Sequence, residues 1–317
     1  IFEWATILFV GYLIMLAYAG YKQKSGEIPD FKGRVVLVTG ASSGIGKQLA
    51  KDLNKNGAEV IITARRVEQL EEVKKECQFP EKIHVVQMDL ANIEELTQIA
   101  KDLNNKFKID MLINNGGISM RDEFKNLSLK MAKQMMDVNY LSVCALSRYI
   151  GEGMVARKSG HIINNVSMAG LFPVPLRTIY SASKYAVKLF SNSARAELRD
   201  SGIVVTDVFP GYVQTNISAN ALVGDGSAFG KIDDNISKGM KVEELSRRIL
   251  HYSRKNEEQN KGKPSLFKFL FVDYSRLVVD KFYVKLAAIL SCLDDDIYKF
   301  ISQIKYKSQI KVMRKAQ

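Results

Sequence analysis

The most informative segment for the fold is Arg34-Val-Val-Leu-Val-Thr-Gly-Ala-Ser-Ser-Gly-Ile-Gly46. Its first six residues form a short apolar run rich in β-branched side chains, which predicts a buried strand. Three glycines then predict a turn that leads into a helix. Gly40 allows the tight turn, Gly44 lets a ligand approach the backbone, and Gly46 lets the helix pack close to the strand.

The amino end of that helix is suited to an anion, because its free amides and its dipole attract negative charge. Ser42 and Ser43 add hydroxyl donors, and Ile45 lies between the last two glycines. We therefore expect this turn to bind the pyrophosphate of a dinucleotide.

A second predicted strand, residues 59–63, is followed by Ala64, Arg65 and Arg66. An acidic residue at this place would accept a hydrogen bond from an adenosine ribose 2'-hydroxyl, whereas a guanidinium suits a 2'-phosphate. The sequence thus favours NADP(H) over NAD(H). The alternative for Arg65 is a solvated charge that caps the next helix.

Tyr180 and Lys184 lie one helical turn apart, and Ser167 ends an apolar run that predicts another buried strand. A phenol has an unperturbed pKa near ~10, and a neighbouring ammonium favours the phenolate. Alone, this tyrosine and lysine pair is more often an exposed helix face. Together with Ser167 and the glycine turn, it indicates hydride transfer with a tyrosine as proton donor.

From about residue 31 to residue 230 the sequence resembles the short-chain dehydrogenase/reductase family. It is most similar to membrane-anchored hydroxysteroid-dehydrogenase-like reductases, including the dehydrogenase/reductase member 7 subgroup. Beyond the motifs above, the resemblance rests on Asp89-Leu90, Asn114-Asn115-Gly116-Gly117, Asn139, residues 210–215 and residues 224–226. It implies a Rossmann-type doubly wound parallel sheet in a single α/β domain, which the alternation of predicted strands and helices also indicates.

The resemblance also assigns roles. Asp89 and Leu90 border the adenine, Asn115 and Gly116 line the adenosine side, Val213 and Thr215 hold the nicotinamide carboxamide, Asn139 anchors a water that reaches Lys184, and Ser167 orients the substrate oxygen. The family's usual alanine is replaced by Gly116, and we expect a looser turn there.

The implied reaction needs no metal: NADPH delivers hydride to a carbonyl, Tyr180 donates the proton, and Lys184 also holds the nicotinamide ribose. The three histidines, His84, His161 and His251, have no partners at metal-ligand spacing, so we expect structural roles for them. Three cysteines without paired spacing predict reduced thiols.

Residues 4–21 are uncharged and apolar, and as a helix they would span about 27 Å, close to a bilayer core. They predict a transmembrane anchor within residues 1–24, with a cleaved signal peptide as the alternative. Basic residues follow the segment, which places the catalytic domain in the cytosol or the mitochondrial matrix, at the endoplasmic reticulum or the mitochondrial inner membrane.

We assign residues 31–275 to the NADP(H)-binding domain, with residues 267–272 as its last strand. Residues 276–317 form a helical, basic and amphipathic extension, which suits an anionic lipid surface or an acidic partner; a solvated charged helix is an equal alternative. The net charge of +12 arises partly from this tail, and no motif indicates nucleic-acid binding.

Residues 216–240, here called the substrate loop, are glycine-rich and polar and can form a lid. Membrane attachment and the apolar residues 172–176 favour a lipophilic substrate such as a steroid, retinoid or keto-lipid. The alternative is an accessory subunit of a larger membrane complex that retains NADPH structurally. Assembly as a homodimer is a further expectation.

Overall fold

The structure is a computed structural model, and it describes residues 26–171, 174–260 and 276–279. Its sheet is parallel throughout, with strand order β3-β2-β1-β4-β5-β6-β7. The strands are β1 (Val35–Thr39), β2 (Glu59–Ala64), β3 (Ile83–Gln87), β4 (Met111–Asn114), β5 (Gly160–Asn165), β6 (Ile203–Pro210) and a short β7 (Arg276–Val279). The prediction of a doubly wound Rossmann-type sheet is confirmed.

Helices cover both faces of this sheet. They are α1 (Gly44–Lys55), α2 (Val67–Glu76), α3 (Ile93–Lys106), α4 (Leu129–Met136), α5 (Ser142–Ala156), α6 (Thr178–Glu197), α7 (Asp234–Ser237) and α8 (Val242–Asn260). A π-helical segment, Asp137–Leu141, joins α4 to α5.

The two cores follow from the alternation of side chains along each strand. In β1, Val36 and Val38 point into a core that α1, α2 and α8 complete, while Leu37 points into a second core against α3 and α5. All three side chains are fully buried. A strand buried on both faces has to be apolar at every position, which is why the run stood out in the sequence.

Strand β1 pairs with β2 on one side and with β4 on the other, so the direction of winding reverses there. In sheets of this type ligands bind outside the carboxyl ends of the strands at that reversal. Thr39, Asn114 and Asn165, the last residues of β1, β4 and β5, lie at this edge.

Several expectations concern residues outside the described part: the anchor at 4–21, the strand at 267–272 and the tail to 317. Strand β7 pairs with β6, so the sheet extends to Val279, past the expected boundary at residue 275. Among the residues that the structure describes, no helix has the length and apolar character needed to cross a membrane.

Candidate active site

A cleft of about 1320 Å³ runs along the carboxyl edge of the sheet. It brings together nearly all the predicted site residues: Gly40, Ser42, Ser43, Gly44, Ile45, Arg65, Asp89, Leu90, Asn115, Gly116, Ser167, Tyr180, Lys184, Val213 and Thr215. Gly46 and Asn139 lie behind its wall. The residues predicted to bind a dinucleotide and those predicted to react therefore line one continuous cleft.

The glycine turn is shaped by close backbone contacts. Gly40 has a φ of +64°, and a Cβ there would lie 2.6 Å from the Cα of Gly116. A Cβ on Gly46 would lie 2.4 Å from the carbonyl oxygen of Gly40, which confirms that this glycine permits close helix packing. Ser43 is the N-cap of α1, but its side chain caps no amide, so the amides of the first turn can bind a phosphate.

Thr39 joins this turn to the loop after β4. Its hydroxyl oxygen accepts hydrogen bonds from the amides of Asn115 (3.0 Å) and Gly116 (2.9 Å). A methyl group on Gly116 would lie 2.4 Å from Cδ1 of Leu90. Leu90 thus occupies the space of the family's alanine methyl, and the turn is packed rather than loosened.

The adenosine end of the cleft is basic. Arg65 and Arg66 line it, are exposed, and form no ion pair within the described ranges. Lys47 and Lys51 of α1 also line it, and both contact the Glu76 carboxylate, at 2.7 and 3.0 Å. The two lysines were missed from the sequence because their closeness to the arginines depends on how α1 and α2 pack.

Ser167, Tyr180 and Lys184 meet at the end of β5. Ser167 Oγ accepts a hydrogen bond from the amide of Ala169 at 3.1 Å, and its hydroxyl lies near that of Tyr180. The Nζ of Lys184 donates to the carbonyl oxygen of Asn165 at 2.9 Å and lies 6.0 Å from the centroid of the Tyr180 ring. Asn165 was not predicted as a site residue.

The pKa values correct one expectation. Burial raises the pKa of Tyr180 above its usual value, and Ser167 and the charge of Arg177 offset this only in part. Burial also lowers the pKa of Lys184 to about 8. The expectation that Lys184 lowers the tyrosine pKa is not met, because its ammonium is turned toward Asn165 and both groups are buried.

Asn139 lies in the π-helical segment and is fully buried. Its Oδ1 accepts the amide of Ile118 at 2.9 Å, while its Nδ2 donates to the Ile118 carbonyl (2.9 Å) and to Ser183 Oγ (3.1 Å). The side chain therefore joins the loop after β4 to helix α6. The water relay expected at Asn139 stays a prediction.

Known proteins are similar to this chain. A family model described as short chain dehydrogenase matches residues 34–224. The dehydrogenase/reductase SDR family protein 7-like of Drosophila melanogaster is 41% identical over 226 residues, 69% of each chain. Member 7B of the same family from Rattus norvegicus is 37% identical over 235 residues, 72% of each chain. The chain belongs to the short-chain dehydrogenase family.

A solved structure supports the same assignment. The closed form of a serine dehydrogenase complexed with NADP+ has a TM-score of 0.64 and 27% identity, over 78% of this chain and 94% of that one. The predicted membership of the short-chain dehydrogenase/reductase family is thus confirmed, as is the predicted similarity to its member 7 subgroup.

The histidines of this short-chain dehydrogenase lie away from the cleft. His84 contacts the Glu59 carboxylate at 2.6 Å, and the ring of His251 contacts the carbonyl of Glu27 at 3.1 Å. His161 is buried between Glu257 (3.0 Å) and Thr206 (2.8 Å). Within the described ranges, no group of three or more histidine, cysteine or acidic side chains is placed to hold a metal ion.

Sequence reasoning also missed residues on the substrate side of the dehydrogenase cleft. The guanidinium of Arg177 donates to Ser119 Oγ at 3.1 Å and lies 5.9 Å from the centroid of the Tyr180 ring. Arg177 is only three residues before Tyr180, so proximity in the chain was a usable signal. Ser119 had none, because it reaches the site through the loop after β4.

Proposed function

We propose that this short-chain dehydrogenase transfers hydride between NADP(H) and the carbonyl or alcohol of a lipophilic substrate such as a steroid, retinoid or keto-lipid. The observation that supports a lipophilic substrate is the apolar wall around Ser167 and Tyr180. Its members are Ile118, Met168, Ala169, Val174, Ile217 and Leu222. Such a wall favours apolar molecules, at about 25 cal/mol per Å² removed from water.

NADP(H) is favoured by Arg65 and Arg66 at the adenosine end and by the NADP+ complex of the similar serine dehydrogenase. The free amides of α1 and the close approach at Gly40 fit a pyrophosphate. When bound, the nicotinamide supplies or accepts the hydride.

The protein's own residues manage the proton. Because the pKa of Tyr180 is raised, its hydroxyl stays protonated at neutral pH and can donate to the alkoxide that forms during carbonyl reduction. Ser167, whose hydroxyl lies near that of Tyr180, is placed to donate a hydrogen bond to the same oxygen as charge builds.

Lys184 remains largely protonated at neutral pH with a pKa of about 8. Its ammonium contacts the Asn165 carbonyl beside the cleft, where it can also bind a ribose hydroxyl. Turnover should decline as the pH rises above about 8, because a neutral amine binds a ribose hydroxyl of the cofactor less strongly than an ammonium does.

A carbonyl panel tests the substrate class. We expect NADPH oxidation with decanal, all-trans-retinal or a 3-ketosteroid, and a kcat/KM at least about a hundredfold lower with 5-ketogluconate, because a polar substrate gains nothing from the apolar wall. Tyr180→Phe controls for background oxidation. A preference for the polar ketone would contradict the proposal.

Arg65→Asp tests the cofactor. The new carboxylate should repel a 2'-phosphate, so the ratio of NADPH to NADH Kd values should shift toward NADH by at least about tenfold. Lys75→Asp, the same charge reversal outside the cleft, should leave the ratio unchanged. An unchanged ratio in Arg65→Asp would assign the phosphate to Arg66 or the lysines of α1.

We further propose that residues 4–21 anchor the protein in the endoplasmic reticulum or mitochondrial inner membrane, with the domain in the cytosol or matrix. Deleting residues 1–24 should leave salt-sensitive attachment through residues 297–317, and deleting both should release a folded, NADPH-binding domain. Retention of the folded double truncation after high-salt washing would contradict this proposal.

Exposed Leu141, Tyr185 and Leu189 on adjoining helices are compatible with a homodimer, which light scattering would test.

A further inference from the structure

A buried ion pair links the substrate loop to the segment after β4. Arg121 and Asp233 form it, and their side chains are only 5% and 6% exposed. The Arg121 guanidinium also lies 5.0 Å from the centroid of the Phe229 ring. Neither charged residue takes part in the chemistry proposed above, so the pair needs another explanation.

Asp233 is held in its charged form. Burial acts to raise its pKa, but the amide of Asn235 and the Arg121 guanidinium outweigh burial and keep the pKa below its usual range. Each carboxylate oxygen has a separate partner: Oδ1 accepts the Asn235 amide at 2.9 Å at the start of α7, and Oδ2 contacts Arg121. The ion pair can therefore be removed without removing the cap.

Residues 118–122 pack against Tyr180 and the chain segment just before α6. Their side chains alternate as in a strand: Met120 packs in a buried cluster with Val174 and Tyr180, while Arg121 turns to the substrate loop. On the other edge of the segment, the amide of Asp122 donates to the carbonyl of Leu176 at 3.0 Å, two residues before α6 begins.

The substrate loop lies against this segment through a few hydrogen bonds. The amide of Arg121 donates to the Leu222 carbonyl at 2.9 Å, and the Leu222 amide donates to Ser119 at 2.8 Å. Asp122 Oδ2 accepts the amide of Gly224 at 2.5 Å. Leu222, together with Asn220 and Ala228, forms part of the cleft wall, so the position of the loop determines how far substrate is covered.

An ion pair is suited to hold the substrate loop against residues 118–122 in a contact that can open. In the closed position removal of one charge leaves the other buried and uncompensated, which is strongly unfavourable. When the two parts separate, water solvates both charges and replaces much of their attraction, whereas separation of an apolar contact would expose its surface. The pair thus holds a defined closed position and still permits opening.

We propose that the Arg121–Asp233 ion pair is a latch that holds the substrate loop over the cleft and separates when substrate enters or product leaves. Both residues are positioning residues, since they act on the substrate through Leu222 and its neighbours. The latch builds on the proposed function only in assuming that the cleft takes a substrate, and it does not depend on that substrate's chemistry.

Asp233→Asn isolates the ion pair, because an asparagine oxygen can still accept the Asn235 amide. Asp225→Asn is the matched control: it is the same change in the same loop, at an exposed carboxylate whose oxygen accepts a local bond from the Ser227 amide at 2.8 Å. Amide hydrogen exchange of the full chain, followed by mass spectrometry, reports opening. Residues 219–230 should exchange at least about tenfold faster in Asp233→Asn and within about twofold of wild type in Asp225→Asn.

Exchange of β1 should be the same in all three proteins, which separates loop opening from general loss of stability. Equal exchange of residues 219–230 in Asp233→Asn and Asp225→Asn would overturn the latch. If Asp233→Asn does not fold, Arg121→Lys replaces it: one ammonium in place of the guanidinium fork should give a smaller but measurable increase. Wild-type exchange in that variant would then overturn the proposal.

Steady-state kinetics with NADPH and decanal give a second readout. Asp233→Asn should raise the KM for decanal by about tenfold or more while kcat and the NADPH Kd stay within about threefold, because the chemistry and the cofactor end are untouched. A parallel fall in kcat and cofactor affinity would show a merely structural role. Absence of decanal turnover in wild type would count against the proposed lipophilic substrate but not against the latch, because the latch is tested separately by hydrogen exchange.

Discussion

Buried ionisable groups lie near both ends of strand β5, and the two ends differ in the partners available to a buried charge. At the amino end, Glu257 accepts hydrogen bonds from Arg34 at 2.6 Å and from the ring of His161 at 3.0 Å. At the carboxyl end, about 13 Å away, the ammonium of Lys184 contacts a neutral carbonyl, that of Asn165. Within the described ranges Lys184 has no carboxylate partner.

The pKa values follow from this difference in partners. Burial opposes ionisation of Glu257, yet His161 and Arg34 outweigh it and lower its pKa to about 2. For Lys184 nothing outweighs burial, and its pKa falls to about 8. The buried charge of Glu257 therefore stabilises the fold, because it has charged and hydrogen-bonding partners. The buried ammonium of Lys184 lowers the free energy of unfolding, and we attribute its retention to the proposed chemistry with Tyr180.

The largest effect should come from Tyr180→Phe. We expect kcat to fall by about a thousandfold or more, since the hydroxyl that donates the proton is removed, while the NADPH Kd stays within a few-fold. Tyr185→Phe, an exposed tyrosine on the same helix, should keep wild-type activity. Substantial turnover in Tyr180→Phe would mean that catalysis does not explain why Tyr180 and Lys184 are buried without a carboxylate partner within the described ranges.

Glu257→Gln should have the largest effect on stability. It leaves Arg34 and His161 without their carboxylate and should lower the free energy of unfolding at pH 7 by about 3 kcal/mol or more. A lowered folded-state pKa stabilises above the unfolded value of 4.5, and this contribution is lost as the pH falls toward 2. Urea denaturation should thus show the difference from wild type shrinking over that window.

The neighbouring Glu258→Gln is the control for this variant, because its side chain is 62% exposed. It should change stability by less than about 1 kcal/mol at any of these pH values. An equal effect of the two substitutions would mean that matching of buried charge is not what stabilises the amino end of β5.

Lys184→Met should have the opposite sign. A lysine pKa lowered from 10.5 to about 8 means that the unfolded chain binds more protons between these values, so wild-type stability rises with pH across that window. The gain is up to about 3 kcal/mol, and Lys184→Met should lack it while being more stable than wild type below pH 8. Denaturation series at several pH values measure this slope, and the wild-type slope in the variant would contradict the account.

The smallest effect should come from His84→Gln. His84 contacts the Glu59 carboxylate at 2.6 Å, but these side chains are 34% and 41% exposed. Water screens such a pair, so the free energy of unfolding at pH 7 should change by less than about 0.5 kcal/mol. A loss comparable to that of Glu257→Gln would show that pairing matters without burial.

The fold class and the proposed chemistry could be predicted from local stretches of the sequence. A strand buried on both faces has to be apolar throughout, a turn against a phosphate needs glycine, and Tyr180 and Lys184 meet through the period of one helix. These are local requirements, so residues 34–46 and 180–184 displayed them without any knowledge of packing. Their arrangement along one cleft agrees with that reading.

The pairing of buried charges, by contrast, could not be predicted from the sequence and depends on the packing of distant elements. Glu257 lies 96 residues from His161, and Asp233 lies 112 residues from Arg121, so no spacing in the chain announces either pair. The raised pKa of Tyr180 and the contact of Lys184 with Asn165 likewise depend on burial between α6 and the ends of the strands. The energy of a buried charge is set by partners within a few ångströms in space, and distance along the chain does not reveal them.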